Sequence, residues 1–443
     1  MNEIERKKVD TRDLKLGMYV VELDRPWIGT PFLFQGFPIT NVNEIEQLRS
    51  CCRYVYIDVE QSRQWTPGEP KRIHRDYELS WFQFQPKEEP PVSYHRFSTQ
   101  RVNVEAESKS AQPQDVHALV EDLDAAKQLH QRTHNYVGTV LADVRLGRSI
   151  DVQGARELVN EMVDTIVANE NALMWLAQLK RRDEYTSLHS INVCVISVVF
   201  GRHLGFSDEQ LREIGHGALL HDIGKMRIPL ELLNKTTELT PDELAVLKQH
   251  PQYGYEILLG SGGISAAALE IVRSHHERVD GNGYPRGLKG DEISEFAMLV
   301  SIVDVYDAIT TDRVYHLGIS PHEALNMMYE WAPKSFPTEP LEQFIKCLGI
   351  YPIGSVVELN TGEVGVVMTV NRSHHLYPII TLVLDPDKRP YPVQKLINLE
   401  LYAEEEYPVN IKRILESNAY GIDVQHIILG TSPNAAMDNQ RQS

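Results

Sequence analysis

One carboxylate constrains the fold of this chain more than any other feature. Asp304 interrupts the apolar helical run FAMLVSIVDVYDAI, with Val300, Ile302, Val303 and Val305 around it. Burying that charge is costly unless it is paired or bound to a cation. The helix can therefore be buried only where a site receives its acid. Histidines are placed to build one: of 17 in the chain, seven lie between His189 and His276. His221 and Asp222 sit in ALLHDIGK, His250 in LKQHPQYG, and His275 and His276 are adjacent in IVRSHHE. Imidazoles with carboxylates are the donor set for Fe, Mn, Zn and similar divalent ions. Each residue alone has a plainer reading, as a satisfied core or surface histidine, or as an acid that caps a helix or pairs with an arginine. The joint pattern of His189, His221, Asp222, His250, His275, His276 and Asp304 is hard to assign to structure alone. It predicts a metal site with about enough ligands for two ions.

The rest of the chain divides by texture. Its 443 residues suggest about two or three domains. A 42% apolar and 24% charged composition is that of a globular protein. From Val9 to about Val59 the runs MYVVEL and RYVYIDV read as strands, with NVNEIEQLRS a short helix between them. Residues 61–114, with QPKEEPP and VEAESKSAQPQ, read largely as linker, because their low apolar content cannot offset ordering entropy. Trp81, Phe82 and Phe84 are the aromatics there that could dock locally. Residues 115–350 carry apolar side chains at three- and four-residue intervals, as in VHALVEDLDAAKQLHQRTHNYVGTVLADV, and predict a helical domain. Ser207 and Thr240 precede acidic first turns and mark helix starts. Residues 351–431 return to β texture, with a hairpin around Thr361-Gly362 followed by YPIITLVLD and KLINLE, and 432–443 read as a polar disordered tail. The expected architecture is multidomain and mainly α. A small α+β domain with its linker occupies 1–114, and a small β appendage follows the helical domain.

Charge limits the partners. A net charge of −18 excludes extended nucleic acid and anionic membrane surfaces, which are bound by clustered Lys and Arg. A small phosphate-bearing ligand would need local cations. Apolar runs such as Val193 to Ile196 fall far short of the roughly 18 to 20 residues that span a bilayer. The opening MNEIERKKVD lacks the apolar core of a signal peptide, so a cytoplasmic location without membrane insertion is expected. Cys51, Cys52, Cys194 and Cys347 form neither a disulfide framework nor a CxxC knuckle and read as reduced buried thiols.

Around the expected site the motifs become specific. DEYTSLHS, GALLHDIGKMRIP, LNKTTELTPDEL, HPQYGYEIL, HHERVDGNGYPRGLKGDEI and VDVYDAITTDRVY follow one another from about Asp183 to Tyr315. In this order they resemble the HD-GYP family, a branch of the HD-domain metal-dependent phosphohydrolases that hydrolyses cyclic dinucleotides. VDTRDLKLGMYVVELDRPW is similar to the uncharacterised domain often found in front of HD-GYP domains.

The resemblance implies an HD-type helical bundle and a ligand set. His189, His221, Asp222 and Asp304 would hold one ion, and His250, His275 and His276 the second, with Asp222 bridging. Two ions about 3.5 to 4 Å apart can share a hydroxide aimed at phosphorus. The resemblance favours iron, with manganese next. A third metal would need a Glu where this chain has Tyr185; Glu184 lies about 100 degrees off that helical face. The resemblance thus implies a dinuclear site. Lys225 would contact the scissile phosphate or assist the leaving group, beside the plainer reading of a solvated helix-end lysine. Gly281, Gly283, Tyr284 and Pro285, otherwise a turn, would shape the dinucleotide pocket. Arg313 would grip phosphate, unless it pairs with Asp307 or Asp312. The chain departs from the family at Val279, where an aromatic is frequent, and at His316 and Leu317, where basic residues are common.

The function implied is a phosphodiesterase that opens cyclic di-GMP to linear pGpG, with onward cleavage to GMP a further step. A 3′,3′-cyclic GMP-AMP hydrolase of the same family is the alternative enzyme, since the ligands read phosphate and not base. A silent cyclic dinucleotide receptor is the alternative outside catalysis, but such a protein would be expected to lose ligands that are all present here. The N-terminal module reads as a docking or dimerising partner alongside either.

Overall fold

The computed structural model describes residues 6–24, 37–39, 42–64, 113–168, 173–174, 176–177, 185–235, 237–311, 318–332, 334–370, 376–403, 408–416, 419–424 and 427. The expected linker core with Trp81, Phe82 and Phe84, the tail from Ser432, and Glu184, Arg313, His316 and Leu317 lie outside them. Two compact units divide the chain, Met1–Glu78 and Leu79–Ser443.

In the first unit, β1 (Arg6–Asp10), β2 (Tyr19–Leu23), β3 (Phe37–Pro38) and β4 (Tyr54–Asp58) form an antiparallel sheet in the order β1-β4-β2-β3. Helix α1 (Val42–Cys51) turns Ile45 and Leu48 into a core with Val9, Val20, Leu23, Val55 and Ile57. Alternation along Tyr54–Asp58 puts Val55 and Ile57 on that face, as strand periodicity requires. A short α2 (Val59–Gln64) follows.

The second unit is mainly helical. Its helices are α3 (Pro113–Arg145), α4 (Val152–Ala168), α5 (Tyr185–His203), α6 (Asp208–Leu220), α7 (Leu230–Leu233), α8 (Pro241–Leu247), α9 (His250–Ser261), α10 (Ala266–Ser274), α11 (Glu295–Thr310), α12 (Pro321–Trp331) and α13 (Thr338–Leu348). Helices α6 and α8 start on capping boxes at Ser207 and Thr240, where each hydroxyl accepts from the backbone three residues on.

Two helices are apolar all round, and therefore central. On α5, Leu188, Ile191, Val193, Cys194, Val195, Ile196, Val198, Val199 and Phe200 are all buried. On α11 every residue from Ala297 to Asp307 is buried. These two helices pack together, with α6 against α5 and α10 against α6. Gly217 lets α6 approach α10, since a Cβ there would stand 2.6 Å from Ile271.

The C-terminal strands β5 (Val356–Leu359), β6 (Val364–Thr369), β7 (Ile379–Leu384), β8 (Pro390–Asn398) and β9 (Ile411–Leu415) form an antiparallel sheet in the order β8-β7-β6-β5-β9. Gly362, at φ 90°, closes the expected β5–β6 hairpin. The strand read in KLINLE stops at Asn398. Leu399–Tyr402 is instead a 3-10 turn, because the Asn398 side chain accepts from Glu400 N and ends the ladder. All four cysteines are free thiols; Cys52, Cys194 and Cys347 are buried, and Cys51 is only half-buried.

Candidate metal centre

The seven predicted residues arrive from five places. His189 lies one turn into α5, and His221 and Asp222 follow α6, with the short 3-10 turn Ile223–Arg227 after them. His250 opens α9, His275 and His276 follow α10, and Asp304 stands within α11. Their ligand atoms fall into two groups, His189, His221 and Asp304 in one and Asp222, His250, His275 and His276 in the other, each within 4.8 Å. All are buried except His276, which is half-buried.

Asp222 joins the groups. Its Oδ2 lies 3.3 Å from His221 Nε2 and 3.8 Å from His189 Nε2, while Oδ1 lies 3.3 Å from His250 Nε2 and 3.9 Å from His275 Nε2. Asp304 reaches across as well, with Oδ1 3.0 Å from His189 Nε2 and Oδ2 3.9 Å from His276 Nδ1. Gly224 makes this closure sterically feasible. Any Cβ there would meet the His250 carbonyl oxygen at 1.9 Å.

Helix geometry selects which imidazole nitrogen faces the site. His221, His250 and His275 each donate Nδ1–H to the carbonyl three residues earlier, Ala218 at 2.7 Å, Leu247 at 2.9 Å and Val272 at 2.9 Å. The Nε2 lone pairs are thereby turned inward. His189 is held differently, with Nδ1 2.7 Å from Asp307 Oδ2, while Asn192 Nδ2 donates to Asp307 Oδ1 at 3.2 Å.

Electrostatics suit a cation. Burial pushes the Asp222 carboxyl up, but Lys225 and His221 beside it hold it well below the usual carboxylate range. Burial likewise opposes Asp304, and His189 and His276 overcome it. Burial lowers His250, and with neighbouring imidazoles lowers His275 and His276 further, so these rings stay neutral. His189 differs: burial opposes its charge, but Asp304 and Asp307 against its ring raise it to about 9. Two carboxylates and three neutral imidazoles thus converge with a histidine whose proton a bound ion would displace. His221 Nε2 and Asp222 Oδ1 are buried without a hydrogen-bond partner, a cost that a bound ion removes. The residues fit two divalent ions.

Other predicted residues surround the cluster. Lys225 Nζ lies 2.5 Å from Asp222 Oδ2, on a part-buried side chain. Tyr284 stacks on His276, centroids 4.7 Å apart and planes at 27°, and its ring lies 6.3 Å from that of His250. Gly281 takes φ 80°, and Gly283 lies where a Cβ would stand 2.3 Å from Arg278 N, with Pro285 following in the same loop. Sequence reasoning passed over Asn192 and Glu277, and weighed Asp307 only as a partner for Arg313. The burial argument made for Asp304 applies equally to Asp307, three residues on in the same apolar helix.

Three family models match the chain. Residues 6–155 match a domain of unknown function (DUF3391), 161–336 the HD domain, and 356–421 a KOW domain associated with HD domain. A cyclic di-GMP phosphodiesterase of Pseudomonas aeruginosa is 34% identical over 88% of this chain and 88% of its own length. A 3′3′-cGAMP-specific phosphodiesterase of Vibrio cholerae is 32% identical over 39% of this chain and 37% of its own. Among solved structures, an HDG"Y"P protein from Bdellovibrio bacteriovorus aligns at 18% identity and a TM-score of 0.43, covering 77% of this chain and 98% of that one.

Proposed function

Because this chain belongs to the HD-GYP family of HD-domain phosphodiesterases, we propose that it hydrolyses cyclic di-GMP, opening one phosphodiester to give linear pGpG. The single observation that carries the phosphodiesterase reading is Asp222, whose two oxygens each face a separate group of ligand nitrogens. The choice of cyclic di-GMP is supported by the Pseudomonas aeruginosa relative, whose similarity spans most of both chains, whereas the cGAMP-specific relative matches 39% of this one.

His189, His221 and Asp304 would hold one ion and His250, His275 and His276 the other, with Asp222 shared. Iron is the first candidate and manganese the next. When bound, the ions supply positive charge against the phosphate and lower the pKa of an attacking water. The protein's own residues do the rest. Backbone carbonyls hold His221, His250 and His275, and Asp307 holds His189, in one tautomer and orientation, so these rings need no reorganisation as charge builds. Lys225 places a cation beside Asp222, where it can offset phosphate charge and stabilise the departing 3′ oxygen. Hydrolysis adds water across one P–O3′ bond, leaving a 5′-phosphate and a 3′-hydroxyl. Tyr284 offers an aromatic face beside the ligands on which a base can stack.

The test is turnover of cyclic di-GMP and 3′,3′-cyclic GMP-AMP by purified protein loaded with defined iron or manganese. Faster turnover of cyclic GMP-AMP would replace the substrate assignment. Equal turnover by anaerobic reduced and oxidised iron-loaded samples would count against a redox-dependent iron centre.

A further inference from the structure

The loop after His276 is organised by one buried acid. Glu277 is 0% exposed. Its two carboxylate oxygens accept from two different backbone amides, Oε1 from Arg286 N at 2.8 Å and Oε2 from Leu288 N at 2.9 Å. The Arg286 guanidinium itself turns away, donating to Glu270 and Ser274. Backbone N–H groups thus meet both oxygens of a carboxylate that would otherwise be costly to bury.

These bonds bring the far end of the loop back onto its start. Other ties help: Gly281 N donates to Arg278 O at 2.8 Å, Tyr284 N to His276 O at 3.1 Å, Gly290 N to Val279 O at 3.1 Å and Asn282 N to Asp280 Oδ1 at 2.9 Å, and Asp280 pairs with Lys289 in a single β-bridge. Gly283 packs directly on the Glu277–Arg278 peptide, with room for no side chain. What the closed loop presents is Tyr284, stacked on His276, with Lys248 Nζ 5.4 Å from its ring centroid. Glu277 belongs to neither ligand group. It acts on the wall of the site and not on its floor.

We propose that Glu277 is a positioning residue for substrate. By capturing the amides of Arg286 and Leu288 it fixes the 279–288 loop, so that Tyr284 stands ready as the face on which a nucleobase of the cyclic dinucleotide stacks. The substrate half of this statement rests on the function proposed above; the clamp does not.

Glu277→Gln in the full-length metal-loaded protein is the test, since it keeps size and turns one acceptor into a donor facing an amide. The KM for cyclic di-GMP should rise at least about tenfold, with kcat within about threefold and bound metal unchanged. Hydrogen exchange of the 279–288 amides should accelerate at least about tenfold. Glu277→Asp, which retains charge on a shorter arm, should fall between wild type and Glu277→Gln in both readouts. If Glu277→Gln does not accumulate folded, Glu277→Asp carries the same measurements. Unchanged exchange in the folded variants overturns the clamp, and faster exchange with unchanged KM overturns its role toward substrate. Metal loss in step with kcat would instead make Glu277 a support for His276 and overturn the proposal. A wild-type protein inactive on cyclic dinucleotides would overturn the substrate half together with the proposed function, while the exchange comparison still decides the clamp.

Discussion

Asp307 holds His189 from behind, its Oδ2 2.7 Å from Nδ1 of a ring 118 residues away in sequence. The same ring turns Nε2 to Asp304 at 3.0 Å, so one imidazole is gripped by carboxylates on both edges. A carboxylate behind a ligating histidine fixes its tautomer and makes it a stronger donor. Asp307→Asn removes that charge and sets an amide against Asn192. Metal affinity and turnover should each fall about 10- to 100-fold, read by competitive metal titration and steady-state rates, with α5 and α11 still folded by circular dichroism.

Shared and unshared ligands should behave differently. Asp222 turns one oxygen to each group, whereas His250 belongs to one. Asp222→Asn is therefore expected to lower occupancy of both ions, and His250→Ala to lower one while leaving roughly half the metal. Elemental analysis after dialysis against a weak chelator separates the two outcomes. Loss of both ions from His250→Ala would show that the groups bind as a single cooperative unit.

Much of this site was legible in the sequence because its chemistry conflicts with its surroundings. Asp304 in an apolar helix and the histidines at helix ends each have a plainer reading alone, but together they are hard to assign to packing and point to a cation. Asp307 escaped notice because an arginine nearby offered it an ordinary partner. Glu277 was missed for a different reason: its function is to accept backbone amides of Arg286 and Leu288, and such bonds leave no side-chain partner to find in a sequence. The fold followed the same rule. Periodicity marked the helices and the β5–β6 hairpin, but the end of β8 depended on one Asn398 side chain competing with the ladder.

Lys225 makes a separable contribution. Its Nζ sits 2.5 Å from Asp222 Oδ2 and the side chain is about a quarter exposed, at 27%. Lys225→Met keeps the stem and removes the charge, so bound metal should be retained while kcat drops roughly 100-fold, the scale of losing one preorganised electrostatic contact in a transition state. Single-turnover rates with metal content measured on the same samples test this. A rise in KM alone would assign Lys225 to ground-state binding instead.

Gly224 packs directly on backbone beside the centre. A Cβ there would stand 1.9 Å from His250 O and 2.4 Å from Gly254 N, both backbone atoms that cannot rotate aside. Gly224→Ala must push the Ile223–Arg227 turn off α9 and separate Asp222 from His250. We expect a stability loss of about 3 kcal/mol or more, measured by urea unfolding, together with loss of the shared ligation. Gly138 has nothing within 4 Å of its Cβ position, so Gly138→Ala is the matched control and should be near neutral or slightly stabilising.

His216 on α6 should give the protein an acid-sensitive slope unconnected with catalysis. Burial, with Arg156 and Arg212 nearby, lowers its pKa to about 4 against a hydrogen bond to the Arg156 backbone that raises it. The folded protein therefore keeps the ring neutral down to about pH 4, while the unfolded chain protonates it near its ordinary value of 6.5. Below that ordinary value the unfolded state binds more protons, so stability falls as pH drops from about 6.5 to about 4 and then levels for this group. His216→Gln removes the titration. The difference in unfolding midpoint between variant and wild type, followed from pH 7.5 to 4 at saturating metal so that contributions of the metal centre cancel, should shift steadily in the variant's favour across that window. A pH-independent difference would mean that His216 titrates alike in the folded and unfolded states.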